Sequence, residues 1–288
     1  MNVSHPPAQA DRSRTDRRIA DGIVAANLPS TKERSVAISP PPPDGETAES
    51  GLDERLDNVL TASRSSRWHA SATRWQAARE VAAINYLQAT LGTERFLPPI
   101  GGWAIDYTVA AAILDIIRRH GRPAYVLELG SGSGTPWFAA MAAQAGGHLV
   151  SVEHDTDHVD RTQSLLDHYD FQGVCTLVHA PLIPGADGAS WYDPDPILSA
   201  VGHHKVDVLV VDGPPARSGP NARRPALQHL APLLAPDALV VLDDVVRQEE
   251  QQVLTDWQHA FGERLQMLPI VDRASIFRLL PTDKESSR

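Results

Sequence analysis

From residue 95 onward, short apolar runs alternate with longer stretches in which apolar residues return every three or four positions. The runs read YVLEL (125–129), HLVSVE (148–153), GVCTLV (173–178), VDVLVVD (206–212) and ALVVLDD (238–244). Each is almost continuously apolar, the pattern of a strand covered on both faces of a parallel sheet. The intervening stretches 103–120, 137–144, 156–169, 221–234 and 247–261 have helical character. Gly121 closes the first of them, directly after Arg118, Arg119 and His120, cations that suit a helix C-terminus. Two final runs, ERLQMLPIV and ASIFRLL, flank a turn at Asp272 and Arg273 and read as a closing pair of strands. This alternation predicts an α/β domain with helices on both faces of its sheet.

Upstream the pattern changes. Leu52, Leu56, Val59 and Leu60 repeat at helical spacing, and a longer helix is expected over 68–91, with Gly92 as its stop. Its expected inward positions are Trp75, Ala78, Val81, Ala82, Asn85 and Leu87. These helices suit a lid over the site, a homodimer contact or plain packing on the core, and the pattern does not separate the three. Residues 1–50 carry Arg12, Arg14, Arg17 and Arg18 among acids, the run Pro40 to Pro43, and few apolar residues. Such a segment buries too little surface to offset its ordering entropy and reads as a disordered tail. The expected organisation is therefore a tail over 1–50, a helical appendage over 51–94 and the main domain over 95–288.

Charge and composition narrow the function. A net charge of −10 over 288 residues leaves no basic surplus to neutralise phosphates, which argues against a general nucleic-acid binder. The single cysteine, Cys175, sits within an apolar run and reads as core rather than nucleophile. No stretch approaches the roughly 20 apolar residues of a membrane span. The start of the chain lacks the apolar centre of a signal peptide, so a cytoplasmic, membrane-free protein is expected.

The chemistry gathers at the end of the first run. Glu128 is followed by glycines at alternate positions, Gly130, Gly132 and Gly134, with Ser131 between the first two; Pro136 opens the next helix. A buried strand, a glycine turn and a helix start present backbone N–H groups to a ligand. The dinucleotide pattern G-x-G-x-x-G would need glycine at 135, where this chain has Thr135. The second run ends in Glu153, whose paired oxygens can accept hydrogen bonds from both hydroxyls of a ribose. With its E-x-G-x-G-x-G spacing, its second-strand acid and its closing strand pair, the chain resembles the class I S-adenosylmethionine-dependent methyltransferases over about residues 95–281.

That resemblance implies a seven-stranded Rossmann-like sheet in the order 3-2-1-4-5-7-6 and S-adenosyl-L-methionine as cofactor. It assigns the glycine loop to the methionine and ribose portion with Glu128 beneath it, Glu153 to the ribose, and Ala180 and His154 to the adenine. Asp212, at the end of the fourth run, would face the same pocket. Asp212, Asp243 and Asp244 further resemble the aspartates of metal-dependent O-methyltransferases. Three converging carboxylates suit a hard cation such as Mg2+, which would lower a hydroxyl's pKa and orient the acceptor. The chain departs from catechol-type enzymes in its Asp-Asp pair, where they carry Asp-Asn, and in its DGPP loop. Without a metal, Asp212 or His154 could act as the base. Trp191 and Tyr192, on a loop rich in acids, and Arg223, just beyond the fourth run, are candidates for the acceptor; Trp103, Asp106 and Tyr107 are candidates for lining the pocket. The expected activity is O-methylation of a small-molecule hydroxyl, on a secondary metabolite or a sugar. The rivals are a NAD-dependent oxidoreductase and a non-catalytic binding module on the same fold.

Overall fold

The computed structural model describes residues 71–185, 188–269 and 271–281. The chain divides into two compact units, 1–63 and 64–288, and every described residue lies in the second. The expected tail and the helical repeat over 52–60 lie outside the described residues.

A seven-stranded sheet forms the centre. Its strands are β1 (Tyr125–Leu129), β2 (His148–Glu153), β3 (Cys175–His179), β6 (Val206–Val211), β7 (Leu234–Leu242), β8 (Leu265–Met267) and β9 (Ser275–Leu279). They lie in the order β3-β2-β1-β6-β7-β9-β8. The first five run parallel and β9 turns antiparallel to both β7 and β8. Leaving out a separate hairpin of β4 (Leu182–Pro184) and β5 (Ser190–Tyr192), this is the order 3-2-1-4-5-7-6, the sheet of a class I methyltransferase. The chain crosses from one half of the sheet to the other between β1 and β6. That switch point opens a crevice at the strands' carboxyl ends, where α/β sheets take their ligands.

Helices α2 (Tyr107–His120) and α3 (Thr135–Gln144) cover one face, burying Val109, Ile113, Leu114, Trp137 and Phe138 against Val126, Val208 and Val210. The other face packs Leu127, Leu129 and Val211 under Ile197, Leu227 and Trp257 from α5 (Pro194–Val201), α6 (Pro225–Leu230) and α7 (Gln248–Phe261). Helix α4 (Thr156–His168) starts at Asp155, whose side chain accepts the His158 N–H and so satisfies one otherwise open donor.

Helix α1 covers 71–91. Of its expected inward positions Leu87 is buried, whereas Trp75, Ala78, Val81, Ala82 and Asn85 are exposed and Ala83 is buried in their place. The helix carries apolar residues on two faces, and Glu80 decides between them. Its carboxylate accepts the Tyr107 N–H at 3.0 Å and the Thr108 hydroxyl at 3.1 Å. It thereby caps α2, whose own N-cap residue Asp106 makes no capping bond.

The stretch after β3 is also more ordered than its glycine and proline content suggests. β4 (Leu182–Pro184) pairs antiparallel with β5 (Ser190–Tyr192), and Asp193 then caps α5 by accepting the Asp195 N–H. Trp191 and Tyr192 are 5% and 0% exposed, so both rings belong to the core and offer no surface to an acceptor.

Candidate functional site

Two loops meet at the switch point, one after β1 and one after β6. Gly130 has φ +96, a conformation side chains disfavour. A Cβ there would lie 3.0 Å from Gly213 N and 3.1 Å from the Asp212 carbonyl carbon. The two loops thus pack backbone against backbone. At Gly132 an added Cβ meets no protein atom within 4 Å, so this glycine leaves free space over the loop. Gly134 has ordinary helical φ −72 and a Cβ there would make only ordinary contacts.

Beneath the loop, Glu128 is 2% exposed. Its neighbour across the β1–β2 register is Ser151, which donates to the carboxylate at 2.5 Å. Thr135 donates to the same oxygen at 2.8 Å and accepts the Gly132 N–H at 2.9 Å. The hydroxyl that stands where a dinucleotide fold wants glycine therefore ties the loop to its supporting acid. Burial pushes the Glu128 carboxyl up to about 7, from 4.5, against the lowering effect of Ser151 and Thr135. The folded chain then holds a proton that the unfolded chain has released, so stability falls as pH rises from about 4.5 to about 7, by on the order of 3 kcal/mol. Melting curves from about pH 5 to about pH 8 should show Glu128→Gln gaining on the wild type as pH rises. A pH-independent difference between the two would mean that Glu128 ionises normally.

Glu153 closes β2 and is 4% exposed. Its Oε1 accepts the N–H groups of His154 at 2.7 Å and Asp155 at 2.9 Å. Oε2 has only a 3.5 Å contact with the Ser131 hydroxyl, which sits 3.0 Å from Thr162 Oγ1. One carboxylate oxygen is thus fixed by the backbone, and the other keeps acceptor capacity for a diol. His154 places Nδ1 2.7 Å from Glu153 Oε1, on the β2 side of β1 and across that strand from Asp212. Ala180 is fully buried, with its N–H on the Glu153 carbonyl at 2.8 Å. It presents no surface for the adenine contact expected of it.

At the ends of β6 and β7, Asp212, Asp243 and Asp244 each offer an oxygen within 4.8 Å of the others. Asp244 adopts φ +62, a turn conformation that aspartate tolerates. Arginines fill this cluster. Arg223, a candidate for the acceptor by its place beyond the fourth run, is 4% exposed. Its Nη2 lies 3.2 Å from Asp212 Oδ1, 3.2 Å from Asp244 Oδ2 and 2.7 Å from the Asp212 carbonyl oxygen. Arg247 reaches Asp244 at 2.9 Å and Arg273 reaches Asp243 at 3.0 Å. Burial pushes the Asp212 carboxyl well above the usual carboxylate range, opposed by the Arg223 guanidinium, and burial likewise raises Asp243. Carboxylate oxygens suit Mg2+ chemically, but guanidinium groups already occupy their shared space, so the arrangement does not fit a metal ion. Arg223 cannot meet an acceptor from this buried position either.

Arg273 also donates to the Gly102 carbonyl at 2.8 Å and to the Ala104 carbonyl. It thereby ties Trp103, which is 92% exposed, to the acid cluster. Val246, 68% exposed, follows Val245, whose N–H bonds the Arg273 carbonyl at 2.8 Å. Sequence reasoning took Arg273 for a turn residue, Thr135 for a missing glycine, and Trp103 for a minor candidate.

Residues 127–245 match the protein family described as a methyltransferase domain. No curated protein matches the chain significantly. Among solved structures, the SAH-bound methyltransferase PaMTH1 of Podospora anserina is similar with 13% identity and a TM-score of 0.51, over 73% of this chain and 96% of that one. An SAH-bound O-methyltransferase from Bacillus cereus has 14% identity and a TM-score of 0.47, over 69% of this chain and 91% of its own. The O-methyltransferase TomG of Streptomyces achromogenes has 16% identity and a TM-score of 0.47, over 70% and 90%. Among the described residues no helix is long and apolar enough to cross a membrane. The family match spans the glycine loop, the second-strand acid and both acid-bearing strand ends, so residues 127–245 are similar to a methyltransferase domain on a sheet with the class I methyltransferase fold.

Proposed function

We propose that the protein methylates a hydroxyl oxygen of a small-molecule acceptor. The observation that carries this reading is the Gly130–Gly213 contact, which sets Asp212 directly beside the cofactor loop. An alcohol or phenol must lose its proton as the new O–C bond forms, so it needs a proton acceptor at that place. Asp212 takes this role, held by Arg223 and raised in basicity by burial. S-adenosylmethionine, when bound, supplies an electrophilic methyl group on sulfur. Glu153 accepts the ribose hydroxyls, and the N–H groups of the glycine loop, braced by Thr135 and Glu128, hold the amino-acid end. The chain's work is then alignment and proton removal.

Trp103 and Val246 are exposed apolar side chains that each adjoin a residue bonded to Arg273, and the Trp103 ring suits a flat acceptor that stacks. Trp103→Ala is expected to raise the acceptor's KM about tenfold, the loss of roughly 1.4 kcal/mol of stacking and burial, with cofactor affinity unchanged. Steady-state kinetics alongside calorimetry checks this, and an unaltered KM removes Trp103 from the acceptor site.

The reading as a whole is tested by calorimetric titration with S-adenosylmethionine, S-adenosylhomocysteine and NAD, followed by a screen of phenols and sugars for methyl transfer. Tight binding of the sulfur nucleotides with transfer to oxygen supports it. Binding of NAD alone overturns it, and transfer confined to nitrogen acceptors overturns the choice of oxygen.

A further inference from the structure

A Mg2+ or Ca2+ ion sits about 2.0–2.6 Å from its oxygen ligands. Between Asp212 Oδ1 and Asp244 Oδ2 that volume is held by Arg223 Nη2, 3.2 Å from each. Nη1 of the same guanidinium bonds the Asp243 carbonyl oxygen at 3.0 Å, so one side chain touches all three aspartates. The side chain is 5% exposed and has Glu250 3.9 Å from its Nε, leaving it no route into solvent without repacking. Arg247 and Arg273 hold Asp244 and Asp243 from other sides. With Glu250 and Asp106, which also pair with these arginines, five carboxylates share three guanidinium groups, so what displaces a divalent ion is the Arg223 group lying between Asp212 and Asp244.

We infer that the Arg223 guanidinium takes the place of a divalent cation in the Asp212–Asp243–Asp244 cluster, so that removing it turns the cluster into a metal site. Its catalytic consequence rests on the methyltransferase reading; the metal-binding claim stands on the cluster alone. A guanidinium provides fixed charge and directed N–H bonds, which orient Asp212. Unlike a metal, it offers no open coordination position for the acceptor oxygen. Arg223 is thus a positioning residue, and the acceptor needs no second, chelating oxygen next to the one that is methylated.

The test titrates Mn2+ into the full chain, following the free ion by electron paramagnetic resonance. Wild type, Arg223→Ala and Arg223→Ala with Asp244→Asn are compared, and S-adenosylhomocysteine binding is measured on the same samples. The expected result is no saturable Mn2+ binding in wild type, one site in Arg223→Ala, and its loss in the double variant. A wild-type chain with one saturable Mn2+ site that Asp244→Asn removes overturns the inference. So does a cooperatively melting Arg223→Ala chain that takes up no Mn2+. Should Arg223→Ala fail to fold, Arg223→Met, which keeps an aliphatic stem in the same space, replaces it under the same two criteria. Absence of S-adenosylhomocysteine binding in wild type would overturn the methyltransferase reading and still leave the Mn2+ titration to decide this one.

Discussion

Glu153→Gln is expected to weaken S-adenosylmethionine binding about 100-fold while leaving the melting temperature nearly unchanged. The amide oxygen can still accept the His154 and Asp155 N–H groups, so the turn after β2 survives. What is lost is the charge on the acceptor proposed to hold the ribose hydroxyls. Hydrogen bonds to a charged group contribute about 1.5–3 kcal/mol each, and a net loss near 3 kcal/mol corresponds to about two decades in Kd. Calorimetry with parallel thermal melts reads both quantities. An unchanged Kd would remove Glu153 from the cofactor site, whereas a collapsed melting temperature would make its role purely structural.

The second large effect is expected at Gly130. Alanine there must adopt φ +96 and push its Cβ against Gly213 N at 3.0 Å, where backbone cannot yield. Conformational strain of about 1–3 kcal/mol adds to about 1–3 kcal/mol of overpacking. Gly130→Ala should therefore melt roughly 5–15 °C lower and bind cofactor poorly, since the loop carrying the N–H groups is displaced. Gly134→Ala is the informative control. With helical φ and ordinary contacts around its Cβ, it should melt within a few degrees of wild type. If the two variants behave alike, the loop geometry at Gly130 is not what demands glycine.

The contrast shows where sequence reading works and where it stops. The strands were legible because β1, β2, β6 and β7 are almost continuously apolar, and that signal is local, whereas their order followed only from the resemblance that the glycine spacing carries. The alternate glycines and Glu153 stood out for the same reason: each lies at the end of such a run. Motif spacing alone does not grade the glycines, because Gly130 answers to a backbone on another strand whereas Gly134 answers to nothing comparable. Thr135 looked like a gap in a pattern until Ser151, across the β1–β2 register, showed that both hydroxyls serve Glu128. Trp191 and Tyr192 were misplaced because the proline, glycine and aspartate around them suggest a loop, while a hairpin of three residues per strand folds both rings inward. The arginine-filled cluster left no sequence signal. Arg223 meets Asp244 across 21 residues and Arg273 meets Asp243 across 30, spacings with no period to read.

The Arg273 bonds to the Gly102 and Ala104 carbonyls also bear on the order in which the site comes into being. The first of them joins residues 171 positions apart, whereas Thr135 reaches Glu128 across 7 and Asp155 reaches Glu153 across 2. Short loops close at little entropic cost and long ones close late. A folding chain therefore closes the glycine loop over Glu128 early, and anchors Trp103 beside the acid cluster only when the last strands dock.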